Sequence, residues 1–168
     1  MTNEVAVRLR PAVPEDRFRI RRWLADPQIA AAWGNAASAE AEISLALASP
    51  TALCRIIDGA GTPIGYAHAL EIGLWTEERP SELPAGTWHI GYFLAGGDNC
   101  HGRTGAAVLA LLSTEVFATT LAVACSSLVS VKAETAARAY ERAGFRWRRI
   151  WNDRLLGPSW LMLRERPV

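Results

Sequence analysis

Trp88-His89-Ile90-Gly91-Tyr92-Phe93-Leu94 runs through Ala95-Gly96-Gly97-Asp98-Asn99-Cys100-His101-Gly102-Arg103-Thr104-Gly105 into an apolar stretch that ends near Ala118. The first segment is rich in aromatic and branched residues and reads as a strand. The second is a glycine-bearing loop, and the third has the length and continuity of a helix. A strand that passes through a glycine loop into a helix N-terminus presents unpaired backbone N–H groups at the positive end of the helix dipole, an arrangement suited to phosphate. Taken alone, the pattern is equally that of an ordinary strand-to-helix turn whose glycines serve backbone freedom.

Downstream, residues 121–131 read as a strand and residues 133–143 as a helix closed by Gly144 as a left-handed cap. Residues 147–151 and 160–163 follow as strands. Upstream lie a polar loop at 73–86 and two strands at 53–57 and 64–72, joined by the turn chemistry of Asp58-Gly59 and Gly61. Before them, a helix starts at Ser38 with Glu40 and Glu42 in its first turn and ends near Ser49-Pro50. An earlier helix opens on Pro14, Glu15 and Asp16, carries Phe18, Ile20, Trp23 and Leu24, and stops at Asp26-Pro27. Residues 5–10 alternate as a strand does. This mixture predicts an α/β fold with a mixed, mainly antiparallel central sheet flanked by helices.

The chain has 168 residues, half of them hydrophobic, which suits a single domain over residues 1–168 with its own core. Eighteen Lys and Arg oppose seventeen Asp and Glu, for a formal net charge of +1, and Lys132 is the only lysine. That balance excludes a general nucleic-acid binder and a disordered acidic tail. Cys54, Cys100 and Cys125 are odd in number and widely spaced, so they predict reduced thiols rather than a disulfide framework or zinc site. The first ten residues carry no apolar signal core, and no apolar run approaches the ~20 residues that span a bilayer. The expectation is a soluble cytoplasmic protein without nucleic-acid or membrane partners.

Lys132-Ala133-Glu134-Thr135-Ala136-Ala137-Arg138-Ala139-Tyr140-Glu141-Arg142-Ala143-Gly144-Phe145 closely resembles the motif that ends the cofactor half of the GNAT superfamily of N-acetyltransferases, with Ala136, Arg138, Tyr140, Glu141, Gly144 and Phe145 matching. Arg21 to Pro27 with Trp33-Gly34, and Pro84 to Ile90, are similar to segments of aminoglycoside 6′-type acetyltransferases. Ile90 to Leu94 also looks like a strand of ribosomal-protein N-terminal acetyltransferases. The resemblance implies acetyl-CoA as donor, an amine as acceptor and, as is common in the superfamily, a homodimer. It departs at the pyrophosphate loop. One register puts Asn99, Gly102 and Thr104 on the family's positions, and a shifted one puts Arg103 and Gly105 on its two glycines. The asparagine expected before the last helix is Ala133. With Phe93 and Leu94, these loop residues are the cofactor candidates.

Amine acetylation needs a base, an oxyanion donor and an acid. The resemblance supplies a backbone N–H near Leu94 as the donor and Tyr140 as the acid, a phenol that stays protonated near neutrality. Aminoglycoside 6′-type enzymes often have an aspartate where this chain has Gly91, and N-terminal acetyltransferases a glutamate where it has His89. His89 is therefore the base candidate, with Glu71 or Glu78 as substitutes. For the acceptor, the acidic loop with Glu71, Trp75, Glu77, Glu78 and Glu82 suits a cationic amine, and Trp33 is a further pocket candidate. His68 and His101 have no ligand partners at useful spacing, so both are assigned to packing or surface roles, and no metal is expected.

Three readings stay open at this point. They are a small-amine N-acetyltransferase with an aminoglycoside-like acceptor, a protein N-terminal acetyltransferase, and a non-catalytic CoA-binding domain. Charge segregation favours a small acceptor of positive charge. Residues 8–22 and 132–154 each carry net +4, and residues 71–98 between them carry net −4. An anionic cofactor and a cationic amine fit such a division.

Overall fold

The computed structural model describes residues 6–74, 80–95 and 102–168. In chain order the elements are β1 (Val7–Pro11), α1 (Asp16–Leu24), α2 (Pro27–Ala31), α3 (Ala36–Ala48), β2 (Leu53–Gly59), β3 (Thr62–Glu71), β4 (Thr87–Leu94), α4 (Gly102–Thr119), β5 (Ala124–Ser130), α5 (Glu134–Arg142), β6 (Arg146–Asp153) and β7 (Gly157–Glu165). Among the described residues seven strands form one sheet in the order β1-β2-β3-β4-β5-β7-β6. Every pairing is antiparallel except β4 with β5.

That parallel pair is short and decides where a ligand enters. It holds through Thr87–Ala124, Trp88–Cys125 and His89–Ser126 and goes no further. Beyond His89, β4 continues to Leu94 against β3 alone, while β5 continues to Ser130 against β7. The sheet therefore splits at its centre.

Strand alternation separates two cores. Ile57, Ala67, Ala69, Trp88 and Ile90 face α4 and α5 with Val108, Leu112, Val116 and Phe145. Ile56, Tyr66, Leu70 and Phe93 face the other way, onto Ile20 and Leu24 of α1 and Ala39, Ile43 and Ala46 of α3. His68 and His89 have the parity of Tyr66 and Phe93, so both point toward α1 to α3.

Several local expectations change. Helix α3 starts two residues earlier than Ser38, because Asn35 rather than Ser38 is its cap: the Asn35 side chain accepts from Ser38 N–H at 2.9 Å. Glu42 thereby moves out of the first turn. Asp26-Pro27 ends one helix and begins another, with Asp26 accepting from Gln28 N–H at 2.9 Å and Pro27 at the first helical position. Phe18 is 73% exposed, so α1 buries only Ile20 and Leu24 of the apolar residues assigned to it, with Trp23 half-buried. The β2–β3 turn puts Ala60 and Gly61 at positive φ (51° and 82°). Gly144 holds the left-handed cap expected of it, at φ +92°.

Candidate active site

The split between β4 and β5 opens a cavity of about 970 Å³. Its one end is lined by Phe93 and Leu94, by Ser126 to Ser130 of β5, by Gly102 at the start of α4, and by Ala133, Ala136 and Tyr140 of α5. Small side chains dominate, so backbone forms much of this wall. Lys132 lines it too. Arg142 brings Nη1 to 3.4 Å from where a Cβ on Gly102 would lie, adding a cation at the N-terminus of α4. Neither cation was singled out from the sequence. Both stand within the Lys132 to Phe145 stretch that resembles the family's closing motif, which is the available signal.

Tyr140 is buried and donates its hydroxyl to Ser127 Oγ at 3.1 Å. Burial pushes the phenol well above its ordinary value, and the nearby Tyr92 adds to the shift. Tyr140 thus keeps its proton across the neutral range.

Of the residues proposed for the cofactor, Phe93, Leu94 and Gly102 line the cavity. Arg103, Thr104 and Gly105 are not among its described lining residues, and Asn99 lies outside the described residues. Gly105 has a different task. A Cβ there would meet Tyr92 Oη at 2.5 Å and Ala139 Cβ at 3.3 Å, so the missing side chain lets α4 settle on β4 and α5.

The other end is built from side chains. Residues 39, 42, 43 and 46 follow helical spacing, so Glu42 belongs to the stripe of α3 that faces the sheet. Its Oε2 lies 2.8 Å from His68 Nε2 and 3.6 Å from His89 Nε2. His68 pairs across β3–β4 with Gly91, and Leu70 with His89, which makes the two histidines diagonal neighbours on one face. Behind them His68 Nδ1 meets Tyr66 Oη at 2.9 Å. Burial pushes the Glu42 carboxyl up, but the hydrogen bond from His68 and the nearby His89 imidazole outweigh it and hold the group at about 2. Burial lowers His68, which is fully enclosed, against the opposing pull of Glu42. The sum is an ionised carboxylate facing the cavity beside a neutral imidazole. Among the described residues its ion-pair partners are the two histidines, with no lysine or arginine.

Trp33 completes this end. Its Nε1 donates to the Tyr92 carbonyl at 3.1 Å, and its ring stands edge-on to His68 at 4.8 Å between centroids. A Cβ on Gly91 would meet that ring at 3.2 Å and His89 Nε2 at 3.4 Å. The position that resemblance associates with an aspartate therefore sits directly under Trp33 and His89.

The residues expected for the base and for acceptor binding divide. His89 and Trp33 line the cavity; Glu71 is exposed at the end of β3 and is not among the described lining residues. Trp75, Glu77 and Glu78 lie outside the described residues. Glu82 is drawn to the surface by Arg149, with which it forms a two-point ion pair. His68 is packed, as expected of one of its two assigned roles, fully buried against the rings of Trp33 and Tyr66, and from there it also joins Glu42 and His89 in a cluster whose ligand-type atoms all lie within 4.8 Å of one another. No spacing rule reveals that cluster, because its members come from α3, β3 and β4. His101 and Cys100 lie outside the described residues.

A family model described as an acetyltransferase (GNAT) domain matches residues 12–152. A comparison with curated protein sequences finds no match. Among solved structures, the chain is similar to aminoglycoside acetyltransferase AAC(6′)-Ib in complex with paromomycin and acetyl-CoA, with a TM-score of 0.81 at 23% identity over 96% of this chain and 94% of that one. An aminoglycoside N(6′)-acetyltransferase from Legionella pneumophila superposes with a TM-score of 0.75 at 18% identity over 98% and 94% of the two chains. Spermidine N-acetyltransferase from Vibrio cholerae, in complex with CoA and spermine, gives 0.73 at 12% identity over 95% of each. Among the described residues no helix is long and apolar enough to cross a membrane.

Proposed function

The chain belongs to the GNAT acetyltransferase family, and from that premise we propose that it transfers the acetyl group of acetyl-CoA to a primary amine of a small cationic acceptor. The single observation that carries the acceptor class is the ionised Glu42 carboxylate at the cavity wall, in a cavity that Trp33 also lines and without a lysine or arginine partner among the described residues. An acceptor ammonium satisfies both features, by charge pairing and by cation–π contact. The polyamine- and aminoglycoside-bound relatives share that charge.

The residues at the split fit the cofactor. Small side chains from β5 and α5 leave room for an extended chain, and Lys132 with Arg142 beside the α4 N-terminus suits phosphates. When bound, acetyl-CoA supplies a thioester carbonyl for attack by nitrogen and a thiolate leaving group. The bound ammonium first releases one proton to solvent, which frees the nitrogen lone pair, and His89 takes the second proton that the amine loses as its C–N bond forms. Glu42 holds the acceptor nitrogen near His89 and balances the imidazolium that results. Backbone N–H near Leu94, on the part of β4 past its last β5 partner, faces the developing oxyanion. Tyr140 meets the leaving sulfur with its O–H as the C–S bond breaks, so the proton given to His89 is matched by one gained by the CoA thiol. The phenol then recovers its proton from solvent.

The deciding assay is free-thiol release from acetyl-CoA with aminoglycosides, polyamines and N-terminal peptides as acceptors. Turnover confined to di- and polycationic small amines supports this reading. Turnover with peptides alone moves the assignment to a protein N-terminal acetyltransferase. No binding of acetyl-CoA by calorimetry overturns both.

A further inference from the structure

We propose that Glu42, His68 and His89 form a binding site for one divalent transition-metal ion of the Zn²⁺ class, and that filling it withholds His89 from the amine. The second half rests on the acetyl-transfer reading above, and the first does not.

The donor set is one carboxylate oxygen and two imidazole nitrogens. Zinc sites that keep an open position use that set, with a fourth place left for water or a ligand. Borderline nitrogen donors also discriminate against Mg²⁺ and Ca²⁺, which ask for oxygen. Around a tetrahedral zinc, donor atoms at about 2.0–2.1 Å stand roughly 3.3–3.4 Å apart. Here Glu42 Oε2 is 2.8 Å from one imidazole and 3.6 Å from the other, and all three atoms lie within 4.8 Å. Small side-chain adjustments bring such a set to the ion. Its members stand on a helix and two central strands, which hold them in place before any ion arrives.

The surroundings fit as well. A metal-bound imidazole usually gives its second nitrogen to a fixed partner, and His68 Nδ1 already meets Tyr66 Oη at 2.9 Å. With the ion absent, His68 Nε2–H donates to Glu42 and Tyr66 donates to Nδ1. With the ion present, the imidazole proton moves to Nδ1 and the bond to Tyr66 reverses, so that His68 Nδ1–H donates to Tyr66 Oη. Access is through the cavity, since the side chains of Glu42 and His89 are 18% and 19% exposed while His68 is closed off behind them. The open coordination place therefore faces the acceptor. Zn²⁺ there takes the nitrogen lone pair on His89 that removes the amine's proton.

Titration of the full chain, stripped by a chelator, with Co²⁺ as a visible probe tests the site without reference to turnover. One equivalent with the intense d–d absorption of four-coordinate Co²⁺, displaced by Zn²⁺, is expected. Glu42→Gln and His68→Gln, checked for folding by thermal melts, should abolish the signal, and Tyr66→Phe should weaken binding by about 10–100-fold. The absence of a saturable signal overturns the proposal, as does binding that survives both ligand substitutions. If one equivalent of Zn²⁺ binds and leaves amine acetylation untouched, the inhibitory half fails. If the metal binds as expected and no amine is ever acetylated, the metal site stands and the acetyl-transfer reading falls.

Discussion

The two ends of the cavity are built on different principles. The end proposed for acetyl-CoA is made from backbone and small residues of contiguous segments, Ser126 to Ser130 and Lys132 to Tyr140. The acceptor end depends on a few large or charged side chains, Trp33, Glu42, His68 and His89, that arrive from separate elements. A ligand that never changes is held by the part of the protein that changes least with side-chain substitution. A ligand that distinguishes one enzyme from its relatives is met by side chains alone. The split of β4 from β5 after His89 lets one sheet serve both.

The sharpest way to break this contrast is His89→Ala. Loss of the base should lower turnover by about 10²–10⁴-fold while acetyl-CoA affinity, read by calorimetry, stays the same. An unchanged rate would move the chemistry away from this end. Tyr140→Phe should lower turnover by roughly 10²-fold, again with little change in cofactor affinity, and removing the bond to Ser127 should cost about 1 kcal/mol of stability in denaturant titration. A wild-type rate would remove Tyr140 from the acid role.

Smaller effects separate the two ends by their binding constants. Gly105→Ala drives a methyl into Tyr92 and Ala139, so stability should fall by about 1–3 kcal/mol. Its KM for acetyl-CoA should rise more than its KM for the amine. Asn35→Ala removes the cap of α3 and should cost about 1 kcal/mol in chemical unfolding. Because α3 carries Glu42, the acceptor KM should rise and the acetyl-CoA KM should not. Equal changes in both would erase the distinction between the ends.

The smallest effect lies away from the cavity. Arg10 hydrogen-bonds the buried Asp16 carboxylate and holds it below its ordinary value, with a further bond from Val13 N–H. The folded pKa is the lower one, so the pair's contribution is present above the unfolded value of about 3.9 and is lost as pH falls through the folded value. Urea midpoints measured from pH 6 downward should fall less steeply in Asp16→Asn than in the parent.

Strand positions, the two long helices and the Gly144 cap were legible because hydrophobic period and turn residues act over short distances. The end proposed for acetyl-CoA draws its signal from the same short range, since its motif is one stretch of helix and the strand before it. Asn35 and Ser38 are both favoured caps, and a start at Ser38 puts Glu42 in the first turn, whereas the spacing of Ala39, Ile43 and Ala46 with Glu42 is what carries it to the face against the sheet. His68 was set aside because metal and catalytic spacing rules act within one segment, and its partners lie 26 and 21 residues away in chain position on α3 and β4.

The sequence by itself determined a mixed α/β sheet of the GNAT type and a division of charge among three segments of the chain. Those are properties of contiguous residues and of sums over them. Tertiary structure alone decided that Glu42, His68, His89 and Trp33 meet, that Glu82 turns instead to Arg149, and that Gly105 packs α4 against its neighbours rather than lining the cavity. The physical reason is the sheet itself. Alternation along β3 and β4 sends two histidines to one face, and the rotation of α3 above that face sets which side chain they find there.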